Sequence, residues 1–422
     1  YEAIYGGLFG AWKDDVAKAR PKANLALVTT DPVGWLKASG GDMAQAAKAA
    51  GLIDRIGSRT EFGVRVAELA GSDPNDDTRG SFAFTPLDTW IAANPVKEQG
   101  TAIGVVTIAG EIVDGDAGPG TAGGDRIADV LDKGLDEDLK ALVVRVDSPG
   151  GSVMASERIR RALEQYRTRK IPVVISMGNL AASGGYWVST PGQKIFADPG
   201  TITGSIGVFA VLTSFERTLA DIGVTGGGVK TTPLSGQPDL FTGLAPEISE
   251  VMQASVENVY GKFLGVVAKS RGRTPQQIDS VAQGRPWAGV DAKRMGLVDE
   301  FGSLDDALAY AAKQAKVGNG EWHAQFLGQD TDGFSQFLAG MTNNAMMRTS
   351  TPASSDIAGL FAARQQVRLD QAIRQAQALV TVRGMQAYCL ECPQTGRAMA
   401  PPPGSSLSPV DAILGFLRLR GS

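Results

Sequence analysis

The sequence predicts an α/β protein built on a largely parallel sheet with flanking helices. Short runs rich in β-branched residues alternate with stretches in which apolar residues recur three and four positions apart, which is the period of an amphipathic helix. Turns that contain glycine join the two kinds of segment, as is typical of strand-to-helix passages in parallel sheets. The predicted strands are 103–113, 141–146, 171–177, 194–198 and 205–213, and the predicted closing helices are 246–272 and 303–315.

A block of sequence occurs twice in the chain. Residues 47–58 read AKAAGLIDRIGS and residues 292–303 read AKRMGLVDEFGS, with seven of twelve positions identical. Such self-similarity indicates two copies of one structural unit, of which the first keeps only its closing helices. The domains expected from this are 1–72 as the helical closing part of the first copy, 73–98 as a linker, 99–317 as the complete second copy, and 318–422 as a tail with one helix.

Composition limits the classes of function. With 422 residues, of which 43% are hydrophobic, the chain can bury at least one large core, so a globular protein is expected. A net charge of -4 leaves no general basic surface, and nucleic acid is therefore not an expected partner. No window reaches the ~18 to 20 continuous apolar residues of a membrane-spanning helix. Because the chain starts at Tyr1, any signal or anchor segment is expected upstream.

The two cysteines do not form a recognisable cofactor site. Cys389 and Cys392 make a single CLEC pair, without the second pair or the neighbouring histidine that a zinc site needs. An incidental pair and a local disulfide both remain open as explanations. We therefore expect neither a metal nor any other cofactor.

Three glycine-rich turns carry the candidate catalytic groups. DSPGGSV at 147–153 combines a proline with two glycines before a helix, so its backbone N–H groups can face a developing negative charge. NLAASGGYWVST at 179–190 places Ser183 among very small residues, where a substrate backbone can approach its hydroxyl. GTITGSIGV at 200–208 adds three further hydroxyls. Taken singly, each stretch is more often a plain turn or a helix cap; together they indicate a site at one edge of the sheet.

These three motifs, in this order and at these spacings, resemble the signal peptide peptidase A family, also called protease IV, in its long form with two tandem repeats. The resemblance extends from the first residue to about Val317. It implies a Clp/crotonase-like superhelical α/β fold and a serine endopeptidase that uses a Ser-Lys dyad. In that family pattern Ser183 is the nucleophile, Gly150 and Gly151 supply the oxyanion hole, and Ser205 helps to orient the lysine.

The general base is not evident in the sequence. The single histidine, His323, lies beyond the second copy, so a Ser-His-Asp triad is not expected and a lysine of lowered pKa must act instead. Where single-repeat relatives carry the lysine, this chain has Leu234 and Ser235, and Lys230 is offset. The resemblance to the two-repeat form places the lysine in the first copy, about ten to twenty residues before Tyr1. The chain as given is therefore expected to lack its base and to hydrolyse peptides negligibly by itself.

Two other functions remain open at this stage. A member that keeps the fold and the oligomer interface without a dyad would act as a scaffold. An acyl-CoA hydratase-like enzyme would share the fold, but such enzymes use acids to activate water and have no need of the motif ASGGY at 182–186. For the peptidase, the resemblance implies cleaved signal peptides or other extended apolar peptides as substrates, and a homotetramer. It also implies a place at the bacterial inner membrane, anchored through an upstream segment, with the catalytic part on the periplasmic side.

Overall fold

The structure is a computed structural model that describes residues 2–95, 99–118, 120–210, 216–221, 223, 231–235 and 243–328, together with the backbone of 386–388. The first part of the chain is helical, with α1 (Glu2–Ala19), α2 (Leu25–Thr30), α3 (Pro32–Lys37), α4 (Met43–Ala49), α5 (Arg59–Ala70) and α6 (Leu87–Ala93). Lys230, the helix predicted in the tail, Cys389 and Cys392 lie outside the described residues.

From residue 101 onward strands and helices alternate. The strands are β1 (Thr101–Ala109), β2 (Ile112–Val113), β3 (Ala122–Gly123), β4 (Ala141–Ser148), β5 (Gly150–Ser152), β6 (Val173–Ala182), β7 (Lys194–Ala197), β8 (Ile202–Gly204), β9 (Pro286–Ala288), β10 (Glu300–Phe301), β11 (Trp322–Phe326) and β12 (Gln386–Tyr388). The helices are α7 (Gly124–Gly134), α8 (Val153–Thr168), α9 (Gly184–Ser189), α10 (Glu216–Asp221), α11 (Pro246–Arg271), α12 (Pro275–Asp279), α13 (Gly289–Arg294) and α14 (Leu304–Gln314). Among the described helices, none combines the length and the apolar character that a membrane crossing needs.

The main sheet has the strand order β10-β7-β6-β4-β1-β11, and every pair along it is parallel. β8 adds to the end of β6 in parallel and pairs with β9 in the antiparallel sense. The predicted α/β class with a parallel sheet is therefore confirmed. The central strands β4 and β6 are buried along almost their whole length, as expected for strands that helices cover on both faces.

The two faces of the sheet build two separate layers of core. Alternate residues of β1, β4 and β6 pack on α7, α8, α9 and α11, where Leu131, Leu163 and Phe263 are fully buried. The intervening residues, such as Val143 and Val174, pack on α14. Each buried side chain of this size contributes about 1.5–3 kcal/mol through loss of apolar surface to water. Both layers hold β4 and β6 in place, and the carboxyl ends of these two strands carry the first two glycine-rich turns.

Three details differ from the sequence prediction. Residues 205–210 do not form the predicted strand, because the backbone turns at Ser205 with φ 48° and the extended segment, β8, ends at Gly204. β11 comes from the region expected to be tail and adds to β1 at the edge of the main sheet. The region expected to be a linker contains the short helix α6.

One helix in the first part of the chain begins in the same way as a helix near the end of the predicted second copy. α5 begins with a capping box in which Ser58 and Glu61 exchange hydrogen bonds between side chain and backbone. α14 begins with the same arrangement between Ser303 and Asp306. The two N-caps stand at equivalent positions of the repeated block.

Helix α1 packs directly against the strands that carry the glycine-rich turns. Ile4 is buried and Leu8 is partly buried against Leu180, Ala182 and Ile202, which belong to β6 and β8. The approach is close, because a Cβ added to Gly7 would stand 2.8 Å from the Cβ of Ala288 in β9. The first helix of the chain is thus in contact with the end of β6.

A partly buried carboxylate joins α8 to α9. Glu157 of α8 accepts hydrogen bonds from Nε1 of Trp187 at 2.9 Å, from Arg160 at 2.7 Å and from Arg161 at 2.7 Å. Burial alone would raise the pKa of Glu157, but these donors outweigh it and lower the pKa to about 2. The bond to Trp187 links the helix that follows β5 to the helix that follows β6.

We predict that Gly7→Ala destabilises the protein, whereas Gly10→Ala does not. The Gly7 methyl would overlap Ala288, and overpacking of this kind costs about 1–3 kcal/mol. Gly10 lies on the same helix, and a methyl group added there would have nothing within 4 Å, so alanine gains up to about 1 kcal/mol of helix propensity. Thermal unfolding of both variants tests this. Equal transition temperatures would contradict the close approach of α1 to β9.

We predict that Glu157→Gln reduces the loss in the free energy of unfolding that occurs as pH falls from 4.5 to 2. The pKa of Glu157 in the folded protein lies below its ordinary value of 4.5, so its contribution is complete above pH 4.5 and is lost as pH falls toward 2. With the side chain 23% exposed, that contribution is about 1–3 kcal/mol at neutral pH. Unfolding is measured between pH 2 and 7. The control is Glu164→Gln, which removes a bond to Arg160 within α8 but leaves the bond to Trp187; an equal effect of both variants would contradict the role given to Glu157.

Candidate active site

Ser183 lies at the junction between β6 and α9. It is the N-cap of α9, with φ 56° and ψ -114°. A positive φ is unusual for a residue with a side chain, and such strain persists only where the surroundings hold it. Two backbone bonds do so: the N–H of Ser183 donates to the carbonyl of Gly204 at 2.8 Å, and its own carbonyl accepts from Trp187 at 2.9 Å. The strand, the sharp turn and the helix therefore fix the backbone of Ser183 and with it the orientation of its side chain.

The hydroxyl of Ser183 is buried and has no hydrogen-bond partner among the described residues. The residue is 0% exposed, and so are Ala181 and Ala182 before it. The Oγ atom is one of the few buried polar atoms of the described chain that lack a partner. Buried hydroxyls are normally hydrogen-bonded, so an orphaned one calls for a functional explanation. Such a hydroxyl can serve as a nucleophile whose hydrogen-bond partners are the general base and the substrate.

The two glycines of the SPGG motif form β5, next to this junction. Gly150 has φ 97° and Gly151 has φ 149°, a conformation that favours glycine. A Cβ on Gly151 would stand 2.0 Å from the carbonyl oxygen of Ile112. The end of β4, directly before this turn, lies close to α9, because a Cβ on Gly185 would stand 2.6 Å from the carbonyl oxygen of Ser148.

Ser148 fixes the backbone of the glycine turn through two hydrogen bonds. The sequence analysis assigned this residue no role. Its buried hydroxyl donates to the carbonyl of Gly110 at 2.6 Å and accepts from the N–H of Gly150 at 3.2 Å. The amide of Gly150 is therefore already engaged, and the oxyanion role predicted for Gly150 and Gly151 stays a prediction. The only sequence signal for Ser148 is its place in the SPGG motif itself.

Ser205 stands beside Ser183 because β8 continues the sheet next to the end of β6. Ala182 pairs with Gly204, so the residue after each strand lies at the same edge. Ser205 is 3% exposed, with φ 48°, and its Oγ donates to the carbonyl of Gly284 at 3.3 Å. It lines a cavity of about 390 Å³ together with Val208, Tyr260 and other residues. The structure thus brings Ser183, Ser205 and the SPGG glycines to one edge.

Asp147 is a second residue of this region that sequence reasoning missed. The pairing of β4 with β6 shifts register between Val146 and Ser148, and the Asp147 carboxylate fills the gap by accepting from the N–H of Leu180 at 3.1 Å. Burial raises the pKa of Asp147, while the Leu180 amide and the charge of Arg145 act in the opposite direction. Only the register of the folded sheet reveals this contact.

Among the described residues, neither His323 nor the turn that contains Ser235 supplies a general base to Ser183. His323 lies on β11, which β4 and β1 separate from β6. Ser235 stands where the family pattern of single-repeat relatives predicts the lysine. It lies in a turn in which its hydroxyl accepts a hydrogen bond from the N–H of Thr232 at 3.0 Å. Among the described residues, no group of three or more histidine, cysteine, aspartate or glutamate side chains is placed to hold a metal ion.

Comparison with known proteins agrees with this site. Residues 165–318, which include Ser183 and Ser205, match the family described as Peptidase family S49. The chain is 40% identical over 316 residues to protease 4 of Salmonella typhi, covering 73% of this chain and 49% of that protein. It is 38% identical over 278 residues to protease 4 of Haemophilus influenzae, covering 65% of this chain and 44% of that protein.

A shorter relative gives the same result. The chain is 34% identical over 182 residues to a putative signal peptide peptidase SppA of Enterococcus faecium, covering 43% of this chain and 53% of that protein. The chain thus spans about half the length of the curated relatives it matches. Residues 165–318 thus belong to peptidase family S49, and the chain is similar to protease 4 and signal peptide peptidase SppA proteins.

Proposed function

We propose that this chain carries the nucleophile of a serine endopeptidase that cleaves extended apolar peptides, cleaved signal peptides among them. The observation that carries the proposal is the buried, unpartnered hydroxyl of Ser183 on a strained strand-to-helix junction. The family membership supports the reaction class, and the relative from Enterococcus faecium supports the substrate class through its name. The Clp/crotonase-like form of the fold belongs to the same proposal.

The chemistry follows the usual two steps of acyl transfer. A neutral lysine takes the proton of the Ser183 hydroxyl as the oxygen attacks the peptide carbonyl, and the negative charge that forms on the carbonyl oxygen faces the backbone of the SPGG turn. The lysine then gives its proton to the departing amine, which leaves an acyl ester on Ser183. Water, deprotonated by the same lysine, releases the second product and restores the hydroxyl.

The lysine of this dyad is supplied by a part of the protein outside the described residues, which the resemblance places in the first repeat. Two observations support that origin. α1, from the first-copy region, packs on the end of β6 with Ile4 and Leu8. Ser205, which follows the strand paired with the end of β6, lines a cavity that has room for a side chain from another part of the protein. An enclosed position there would lower the pKa of the lysine into the range that a base requires.

The assembly and location follow from the same family pattern. The active protein is a homo-oligomer, a homotetramer by resemblance, held at the bacterial inner membrane with its catalytic part on the periplasmic side. The two-repeat organisation, with residues 99–317 as the unit that carries the nucleophile, is part of this proposal and is supported by the matching capping boxes of α5 and α14.

The competing proposal is a scaffold that keeps the fold without catalysis. The observation in its favour is that His323, the one histidine of the sequence, lies on β11, which β4 and β1 separate from β6 and Ser183. The two proposals differ in one measurement, which is hydrolysis of an apolar fluorogenic peptide by the full-length protein.

In the full-length protein, Ser183→Ala is expected to reduce peptide hydrolysis by at least about a thousandfold, because the nucleophile is removed. The folded state should not lose stability, since the deleted hydroxyl makes no hydrogen bond among the described residues. The control is Ser189→Ala on the same helix, which removes a bond to the carbonyl of Gly185 but should leave turnover unchanged. Activity of the Ser183 variant within tenfold of the parent protein would refute the assignment.

Ser205→Ala is expected to slow hydrolysis by about tenfold to a hundredfold and to move the rising limb of the pH profile to higher pH. When the lysine is present, the Ser205 hydroxyl is expected to turn from the carbonyl of Gly284 and donate to the neutral amine. This bond stabilises the neutral form, so its removal raises the pKa of the lysine, and the active form appears at higher pH. Initial rates between pH 6 and 11 measure this. An unchanged turnover with an unchanged profile would show that Ser205 does not contact the base.

A further inference from the structure

Ser205 lies beside a second turn whose backbone is strained like its own. β8 pairs with β9 in the antiparallel sense, with Gly204 opposite Pro286, so Ser205 meets the turn at 283–285, which we call the facing turn. Gln283 in the facing turn has φ 59°, and Ser205 has φ 48°. A positive φ costs free energy in a residue with a side chain and persists only where neighbouring contacts hold it. The contacts that hold Gln283 therefore bear on the position of Ser205.

Hydrogen bonds join the two turns in both directions. The N–H of Ser205 donates to the carbonyl of Arg285 at 2.9 Å, and its hydroxyl donates to the carbonyl of Gly284 at 3.3 Å. In the other direction, the N–H of Gly284 donates to the carbonyl of Ile206 at 2.9 Å. The backbones also approach closely, because a Cβ added to Gly207 would stand 2.7 Å from the Cα of Gly284. A shift of the facing turn must therefore move Ser205 or break these bonds.

One tyrosine and one aspartate hold the facing turn from the helical side. The hydroxyl oxygen of Tyr260, in α11, accepts from the N–H of Gln283 at 3.1 Å and donates its own proton to Asp279, in α12, at 2.6 Å. Asp279 also accepts from the side-chain amide of Gln283 at 3.4 Å. Tyr260 is half-buried and lines the same cavity as Ser205. Burial, together with the bond to Asp279, raises the pKa of Tyr260 to about 12, so the hydroxyl keeps its proton at neutral pH.

We propose that Tyr260 and Asp279 are positioning residues of the peptidase, which act through the facing turn on the hydroxyl of Ser205. The inference rests on the function proposed for Ser205. The bond of 3.3 Å from Ser205 to Gly284 is long for a hydroxyl donor, so it can be exchanged for a bond to the amine of the lysine. The facing turn thus keeps the hydroxyl at the cavity without engaging it strongly, and Tyr260 fixes the turn at that distance.

The first test is kinetic and uses the full-length protein. Tyr260→Phe leaves the N–H of Gln283 without this acceptor, so turnover of an apolar fluorogenic peptide is expected to fall about tenfold with an unchanged KM. In a protein that already carries Ser205→Ala, the same substitution is expected to have no further effect on turnover, because the group that it positions is absent. Asp279→Asn, whose amide oxygen can still accept from Tyr260, is expected to keep most of the activity. Additive losses in the double variant would overturn the proposal.

The second test measures the position of Ser205 and does not depend on hydrolysis. Amide hydrogen exchange over 203–208 in the full-length protein is expected to be at least about tenfold faster in Tyr260→Phe. The matched control is Tyr166→Phe, which removes a buried hydroxyl that donates to the carbonyl of Leu131 at 2.6 Å and should change neither turnover nor this exchange rate. Equal exchange over 203–208 in Tyr260→Phe and the parent protein would overturn the proposal. A parent protein that hydrolyses no peptide would refute the proposed function, and the exchange rates would still decide whether Tyr260 holds Ser205.

Discussion

The candidate site depends on how the last residues of β6 are held between two neighbours. Ala181 pairs with β4 and Ala182 pairs with β8, so the strand is fixed on both sides up to its end. α9 begins at Gly184, which leaves Ser183 as the one residue in which the chain can change direction. Its positive φ is the result of that constraint, and the geometry of the hydroxyl is therefore a property of the whole sheet.

The same constraint connects the parts of the site to one another. The register shift between β4 and β6 is filled by Asp147, and the residue after it, Ser148, holds the N–H of Gly150. Beyond β5 and β6, Glu157 and Trp187 join the two helices that follow these strands. A substitution that breaks one of these contacts is expected to shift the glycine turn relative to Ser183, even when the substituted residue contacts neither of them.

Sequence reasoning located the residues of the candidate site better than it located the contacts that hold them in place. Ser183, Ser205 and the SPGG glycines stand in short motifs whose residue types are dictated by tight backbone geometry, so they are visible in one sequence. α11 and α14 lie within a residue or two of their predicted bounds, because their apolar periodicity is long and regular. The strand predicted at 205–213 was wrong over the described residues, since a positive φ at Ser205 cannot be read from β-branched content. Asp147 acts through a register shift, and register between distant strands is not encoded in any local pattern.

The contact between α1 and β9 has a consequence for biosynthesis. Gly7 packs against Ala288, so 281 residues must be made after Gly7 before its partner exists, which takes about 15 to 55 s at ordinary translation rates. During that time α1 carries Ile4 and Leu8 with no strand to cover them, beside Phe9 and Trp12, which are 47% and 48% exposed even in the folded chain. The order of synthesis thus makes the docking of α1, and with it the completion of the serine's surroundings, a late event in folding.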